Sequence, residues 1–176
     1  MSRRLGIAAA LICATALATG CAPGSDPTPT PTGFASQDEA FAAAEDTYRA
    51  YVDAANEIDL ANPATFEPVY DWEIGNALAS DKKVFTSYYS NGVTLSGASL
   101  ITLLEPQSAD KNLTELKLSA CLDVSSVTLK DASGESLVAP DRGNVHSLTI
   151  RLVNTPSTRT GLAVAGISSR DGAPAC

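Results

Sequence analysis

Histidine is almost missing from this chain: His146 is the only one among 176 residues. One imidazole cannot supply the histidine-rich shell usual in catalytic zinc sites, and no H-E-x-x-H is present. No G-x-S-x-G holds a serine nucleophile on a strand-to-helix turn. Neither a P-loop nor a G-x-G-x-x-G is there to cradle phosphates, so no cofactor and no metal are expected. Basic residues are scarce as well, 12 Lys and Arg against 20 Asp and Glu, for a net charge of −8. Nucleic acid and anionic lipid surfaces demand Lys/Arg clusters, and the closest approach to one is Lys82-Lys83. Long apolar runs are lacking too. The uncharged stretch from Leu5 to Gly20 is Ala-rich and falls short of the ~20 apolar residues that cross a bilayer core.

What is present in that stretch fits an export signal. Arg3 and Arg4 make a short basic region ahead of it, the order found in secretory signal peptides. Its end, Leu17-Ala18-Thr19-Gly20-Cys21, resembles the lipobox of bacterial lipoproteins. Thr19 and Gly20 suit that pattern, while Ala18 stands where Leu is commonest and Leu17 sits one place earlier. The resemblance implies cleavage before Cys21, a diacylglyceryl thioether on Cys21 with palmitate-like chains, and a protein held on the cell membrane facing outside the cytoplasm. Two acyl chains give a stable anchor where one gives a marginal one. The alternative, an ordinary signal peptide cut near Ala18 or Gly20, leaves Cys21 as a free thiol without evident use. Ala22 to Gly33 reads APGSDPTPTPTG, a proline-rich tether that cannot bury a core and that reaches up to roughly 37 Å when extended. The expected organisation is a signal peptide over 1–20, a lipidated cysteine and tether over 21–33, and one domain over 34–176. Loss of Arg3 and Arg4 would take the net charge from −8 to −10.

Of the four cysteines, Cys13 would leave with the signal and Cys21 would carry lipid, so Cys121 and Cys176 remain. In an exported protein such a pair is most simply one disulfide. It would tie the end of the chain to an interior strand and contribute ~3–5 kcal/mol by chain entropy.

Ser36-Gln37-Asp38-Glu39 has the form of a capping box. Phe41, Ala44, Tyr48, Tyr51, Val52, Ala55 and Ile58 then recur at helical spacing, which predicts an amphipathic helix to about Asp59. Asn62-Pro63 opens a second, shorter helix carrying Phe66, Val69 and Tyr70, and a third spans Asn76 to Ser90, stopped by Asn91-Gly92. After Gly92 the period changes to two, with strands expected over 99–106, 113–131, 145–154 and 161–169. In the second of these Leu116, Leu118, Ala120 and Leu122 share one face and Glu115, Lys117, Ser119 and Cys121 the other. The parity slips near Ser125-Ser126, as a bulge would require. Helices first and antiparallel strands afterwards is an α+β order, with the helices laid on the concave side of a curved antiparallel β-sheet.

Tyr48-Arg49-Ala50-Tyr51, Asn62-Pro63-Ala64-Thr65-Phe66-Glu67, Cys121-Leu122-Asp123-Val124-Ser125 and the terminal Gly172-Ala173-Pro174-Ala175-Cys176 carry a resemblance to the nuclear-transport-factor-2-like (SnoaL-like, cystatin-superfamily) α+β roll. More narrowly, the chain resembles small cell-envelope lipoproteins of actinobacteria. The likeness covers about residues 36–176. It implies a cone between helices and sheet, open to an apolar ligand in some rolls, and frequent dimerisation through the convex sheet face. A monomer and a homodimer both remain open, and fold alone does not confer function.

Two readings of different class follow. In the first, the domain is a non-catalytic binding module for a small apolar ligand or an envelope protein partner. In the second it is an acid–base enzyme acting on a hydrophobic small molecule. The pocket candidates are Tyr51, Tyr70, Asp71, Trp72 and Tyr88, an aromatic wall with a carboxyl group, because burial among aromatics raises a carboxyl pKa into the working range of a general acid. The plain alternative is that these aromatics are core and that Asp71 is a helix-end residue in water. His146 shares parity with Leu148, Ile150 and Leu152. It is either a buried, hydrogen-bonded or rim histidine, or a general acid or base at the pocket mouth. No catalytic residue is assigned.

Overall fold

The computed structural model describes residues 33–176. The signal peptide, Cys21 and the tether up to residue 32 lie outside the described residues. Helix α1 (Gln37–Asn56) begins where the capping box predicts: Ser36 Oγ accepts from the Glu39 N–H at 3.1 Å. The Glu39 carboxylate reaches back to the Ala35 N–H at 2.8 Å, one residue earlier than the usual box. Its buried face is Ala40, Phe41, Ala44, Thr47, Tyr48 and Val52. The helix ends at Asn56, three residues before the expected Asp59.

The second helix is broken in two. Asn62 Oδ1 accepts from the Ala64 N–H and caps a single 3-10 turn, Pro63–Thr65, after which α2 (Glu67–Tyr70) makes one α-helical turn. Helix α3 (Gly75–Ser90) follows and stops at Asn91, with Gly92 at φ +63°, the left-handed conformation that closes many helices.

Six strands complete the domain: β1 (Thr94–Ser96), β2 (Leu100–Ala109), β3 (Glu115–Asp123), β4 (Thr128–Lys130), β5 (Val145–Asn154) and β6 (Leu162–Ser169). Four form an antiparallel sheet in the order β2-β3-β5-β6, while β1 and β4 pair separately. The expected single strand over 113–131 is therefore corrected to two, in different sheets. The parity slip marks a turn, not a bulge. Asp123 Oδ1 accepts from the Ser125 N–H at 2.8 Å and the Val127 N–H bonds back to the Val124 carbonyl, which turns the chain out of the sheet. The Ser125 bonds also hold the Asp123 carboxyl below its usual range. Strand β2 lies at an edge, where Pro106 and two register shifts are tolerated.

The even-numbered face of β3, expected to be apolar, meets α1. Leu116, Leu118 and Ala120 are fully buried with Ile150, Leu152, Leu162 and Val164 from β5 and β6 and Tyr48 from α1. These side chains occupy the space between α1 and the sheet. A smaller cluster of Leu60, Phe66 and Val93 sits under Tyr70, Phe85, Tyr88 and the β1–β4 pair.

The other face of β3 is less open than expected. Ser119 and Cys121 are almost wholly buried, and the Cys121–Cys176 disulfide anchors the C-terminal tail there, with Cα atoms 5.6 Å apart. Arg170, itself buried, holds the tail's path. Its guanidinium donates to the carbonyls of Leu148, Gly172 and Pro174 and contacts Cys176 Sγ.

Candidate functional site

The link between α2 and α3 runs along the free edge of β6. The Ile74 N–H donates to the Val164 carbonyl at 3.0 Å, and the Val164 N–H donates to the Trp72 carbonyl at 2.9 Å. That short parallel bridge turns the side chain of Glu73 inward. Glu73 is only 3 % exposed, and its Oε2 has no hydrogen-bond partner. A buried polar atom without a partner is rare enough to require an explanation.

Around Glu73 is a cavity of about 200 Å³ walled by Tyr51, Asp81, Ala77, Gly166 and Ile167, with Asn76 and Ser80 at its exposed rim. Tyr51 arrives from α1, stacked on Tyr48 with ring centroids 6.0 Å apart. Its Oη donates to Asp81 Oδ2 at 3.2 Å. Asp81 occupies the inward stripe of α3, four residues after Ala77 and four before Phe85.

The electrostatics follow from burial. Desolvation first, and the neighbouring Asp81 carboxyl second, push the Glu73 pKa up to about 8. Burial also raises Asp81, opposed by the hydrogen bonds it receives from Tyr51 and Glu73. Tyr51 is raised by burial and by the two carboxylates, so its hydroxyl stays protonated. At neutral pH Glu73 therefore keeps its proton and is hydrogen-bonded to Asp81. Such a site can accept hydrogen bonds from a ligand, and it can give up or take a proton.

The sequence candidates are divided by the structure. Tyr51 belongs to this cavity. Tyr70 stacks on Phe85 at 6.0 Å with Lys82 over its ring, in the smaller cluster that Tyr88 also joins. Trp72 is buried beneath the Arg159 guanidinium, 4.5 Å from the ring centroid. Asp71 is exposed at the end of α2. His146 is half-buried at the start of β5 opposite Leu122. It lies six residues from Leu152, the partner of Val164, or roughly 20 Å along the sheet from Glu73.

Glu73 and Asp81 were not among those candidates. Each left a trace in the sequence: Asp81 is an ionisable residue inside an apolar stripe, and Glu73 sits between Trp72 and Ile74. A second cavity, about 320 Å³, opens beside Phe34, Pro156 and Arg159 where the chain enters the domain. Among the described residues no group of three or more His, Cys, Asp or Glu could hold a metal ion, and no helix is long and apolar enough to cross a membrane.

No protein-family model and no curated protein sequence matches the chain. Solved structures do resemble it. The intermembrane space region of the chloroplast protein ARC6 aligns with a TM-score of 0.50 at 12 % identity, covering 73 % of this chain and 94 % of that one. A protein named as a candidate aromatic ring hydroxylase from Novosphingobium aromaticivorans aligns with a TM-score of 0.51 at 14 % identity, covering 77 % and 96 %. Agrobacterium tumefaciens VirB8 aligns more loosely, with a TM-score of 0.44 at 10 % identity over 82 % and 100 %. At these identities the likeness is one of fold: the domain is an α+β roll of the nuclear-transport-factor-2-like type.

Proposed function

We propose that this chain is a membrane-anchored lipoprotein of the cell envelope, of the actinobacterial kind its sequence resembles, whose domain binds a small molecule without transforming it. The lipobox-like Cys21 and the proline-rich tether support the anchor. The Cys121–Cys176 bridge supports an oxidising compartment. The observation that carries the binding reading is the cavity open at its rim beside Tyr51, Glu73 and Asp81, where a buried carboxyl pairs with a second one. Side chains of α1, β3, β5 and β6 pack together between the helix and the sheet, so the binding reading rests on the cavity beside Glu73.

A second reading has its own support. A carboxyl group titrating near 8 beside a Tyr–Asp hydrogen bond is a competent general acid at neutral pH. In that case the domain is an acid–base enzyme acting on a small hydrophobic molecule.

Thermal-shift screening of a small-metabolite library against the wild-type chain and Glu73→Gln tests the binding reading. Ligands that raise the wild-type Tm and not the variant's are the expected outcome. Stabilisation equal in both proteins would remove the site. Mass analysis of the same ligands after incubation separates the readings, since an unchanged ligand fits a binding module and a converted one an enzyme.

A further inference from the structure

We propose that the second cavity, where the chain enters the domain, binds a small apolar amino acid in its zwitterionic form. This site is separate from the one beside Glu73. Two side chains of opposite charge stand in its wall: Glu39 from the first turn of α1, and Arg159 from the turn between β5 and β6. They do not pair with each other, since among the described residues the one ion pair is Arg151–Glu115. Two opposite charges that share a cavity without neutralising each other leave a place for a ligand that carries both.

Both charges are held in place by the fold. The Arg159 guanidinium lies on the Trp72 indole, 4.5 Å from the ring centroid. Stacking uses the face of the guanidinium, while its N–H donors point outward in its plane. The turn that carries it is anchored on either side of Arg159. Thr160 Oγ1 lies 2.7 Å from the Oγ1 of Thr47, a fully buried residue of α1. The Thr47 hydroxyl donates to the Ala43 carbonyl at 2.7 Å, so Thr160 is the donor to Thr47. Thr158 Oγ1 donates to the Leu162 carbonyl, also at 2.7 Å. The turn is thereby tied to α1 and to the start of β6, and the cation is pre-organised. Across the cavity, Glu39 Oε2 accepts from the Ala35 N–H at 2.8 Å, which orients the carboxylate and leaves its second oxygen for a ligand.

A carboxylate suits the fork of Arg159. An ammonium group has three N–H donors and no acceptor, which suits Glu39 and the Thr158 and Thr160 hydroxyl oxygens, whose own protons are already given to the protein. An acid without the amine would face Glu39 unpaired, and an amine without the acid would face Arg159, so each half-ligand meets a like charge. Phe34 and Pro156 form the apolar side of the cavity, suited to a hydrocarbon side chain. About 320 Å³ is roughly eleven water volumes at ~30 Å³ each, room for a branched aliphatic amino acid.

The test is calorimetric titration of the full oxidised chain at neutral pH with three probes: L-leucine, 4-methylpentanoate, which lacks the amino group, and 3-methylbutylamine, which lacks the carboxylate. The expected result is one-to-one binding of leucine, with each of the other two at least tenfold weaker. Arg159→Gln and Glu39→Gln each weaken leucine at least tenfold. Both side chains are exposed, and Gln at position 39 keeps an oxygen for the Ala35 N–H, so the urea midpoint of either variant stays at the wild-type value and separates lost binding from lost folding. Binding of 4-methylpentanoate or 3-methylbutylamine as tight as that of leucine would overturn the zwitterion assignment. Leucine binding that survives both substitutions, or that is lost only in Glu73→Gln, would overturn the placement in this cavity. No binding of leucine would overturn the proposal as a whole.

Discussion

Glu73 is held where a carboxyl group is least comfortable, and the cause is backbone. The bridge to Val164 fixes the extended link on the β6 edge, and the alternation of that link sends Glu73 inward between Trp72 and Ile74. The group should leave its mark on stability. Below its ordinary value of 4.5 the carboxyl is protonated both folded and unfolded; between 4.5 and about 8 only the folded protein retains the proton. Stability is therefore fully present below pH 4.5 and is lost as pH rises towards 8. Thermal melts of the ligand-free chain should show a falling Tm across that window. Glu73→Gln should flatten the fall and, at pH 8, stabilise the protein by about 1–3 kcal/mol, the desolvation penalty of an unsatisfied buried group. A Tm independent of pH in the wild type would contradict this. Asp71 and Glu73 flank Trp72 in the sequence, yet Asp71 is exposed and Glu73 is buried. Which of the two turns inward depends on the long-range bridge to β6, and no local pattern records it.

Periodic elements were legible and irregular ones were not. Helix α1 follows from its capping box and apolar stripe, and β5 from unbroken alternation. The second helix and the strand over 113–131 break where local chemistry outweighs periodicity: a single 3-10 turn under Asn62, and an Asp-led turn at Asp123. The β1–β4 pair that results depends on Gly97, which has φ +83° and lies so close to the Ser126 carbonyl that a Cβ would collide with it. Ser126 Oγ also clasps the Ala98 backbone from across the turn. Gly97→Ala should cost at least ~1 kcal/mol through the positive φ, and more through the collision. Urea unfolding measures it directly, and an unchanged midpoint would show that β1 and β4 are not coupled through this contact.

At the scale of the whole molecule, the fold class was readable because element order fixes it: helices, then antiparallel strands, closing on one core. The state of the cone was not, since filling depends on side chains from both layers meeting at once. The disulfide was readable from cysteine arithmetic, and the structure places it as the clamp on a tail organised by Arg170. With a sequence separation of 55 residues, chain entropy gives the bridge about 4 kcal/mol. Cys121→Ser with Cys176→Ser should lose most of that in denaturant unfolding, while the core between α1 and the sheet persists. Arg170→Ala should lose a smaller share, because the covalent bond still holds the tail's end.

The account stands most directly on the mass of the full chain exported by its own host and extracted in detergent. Under denaturing conditions it predicts a diacylglyceryl group on Cys21 and a mass two units below that of the reduced thiols. Under native conditions it predicts a small retained molecule, present in the wild type and absent from Glu73→Gln. A free Cys21 thiol, or a native mass that carries the same bare value in both proteins, would contradict it.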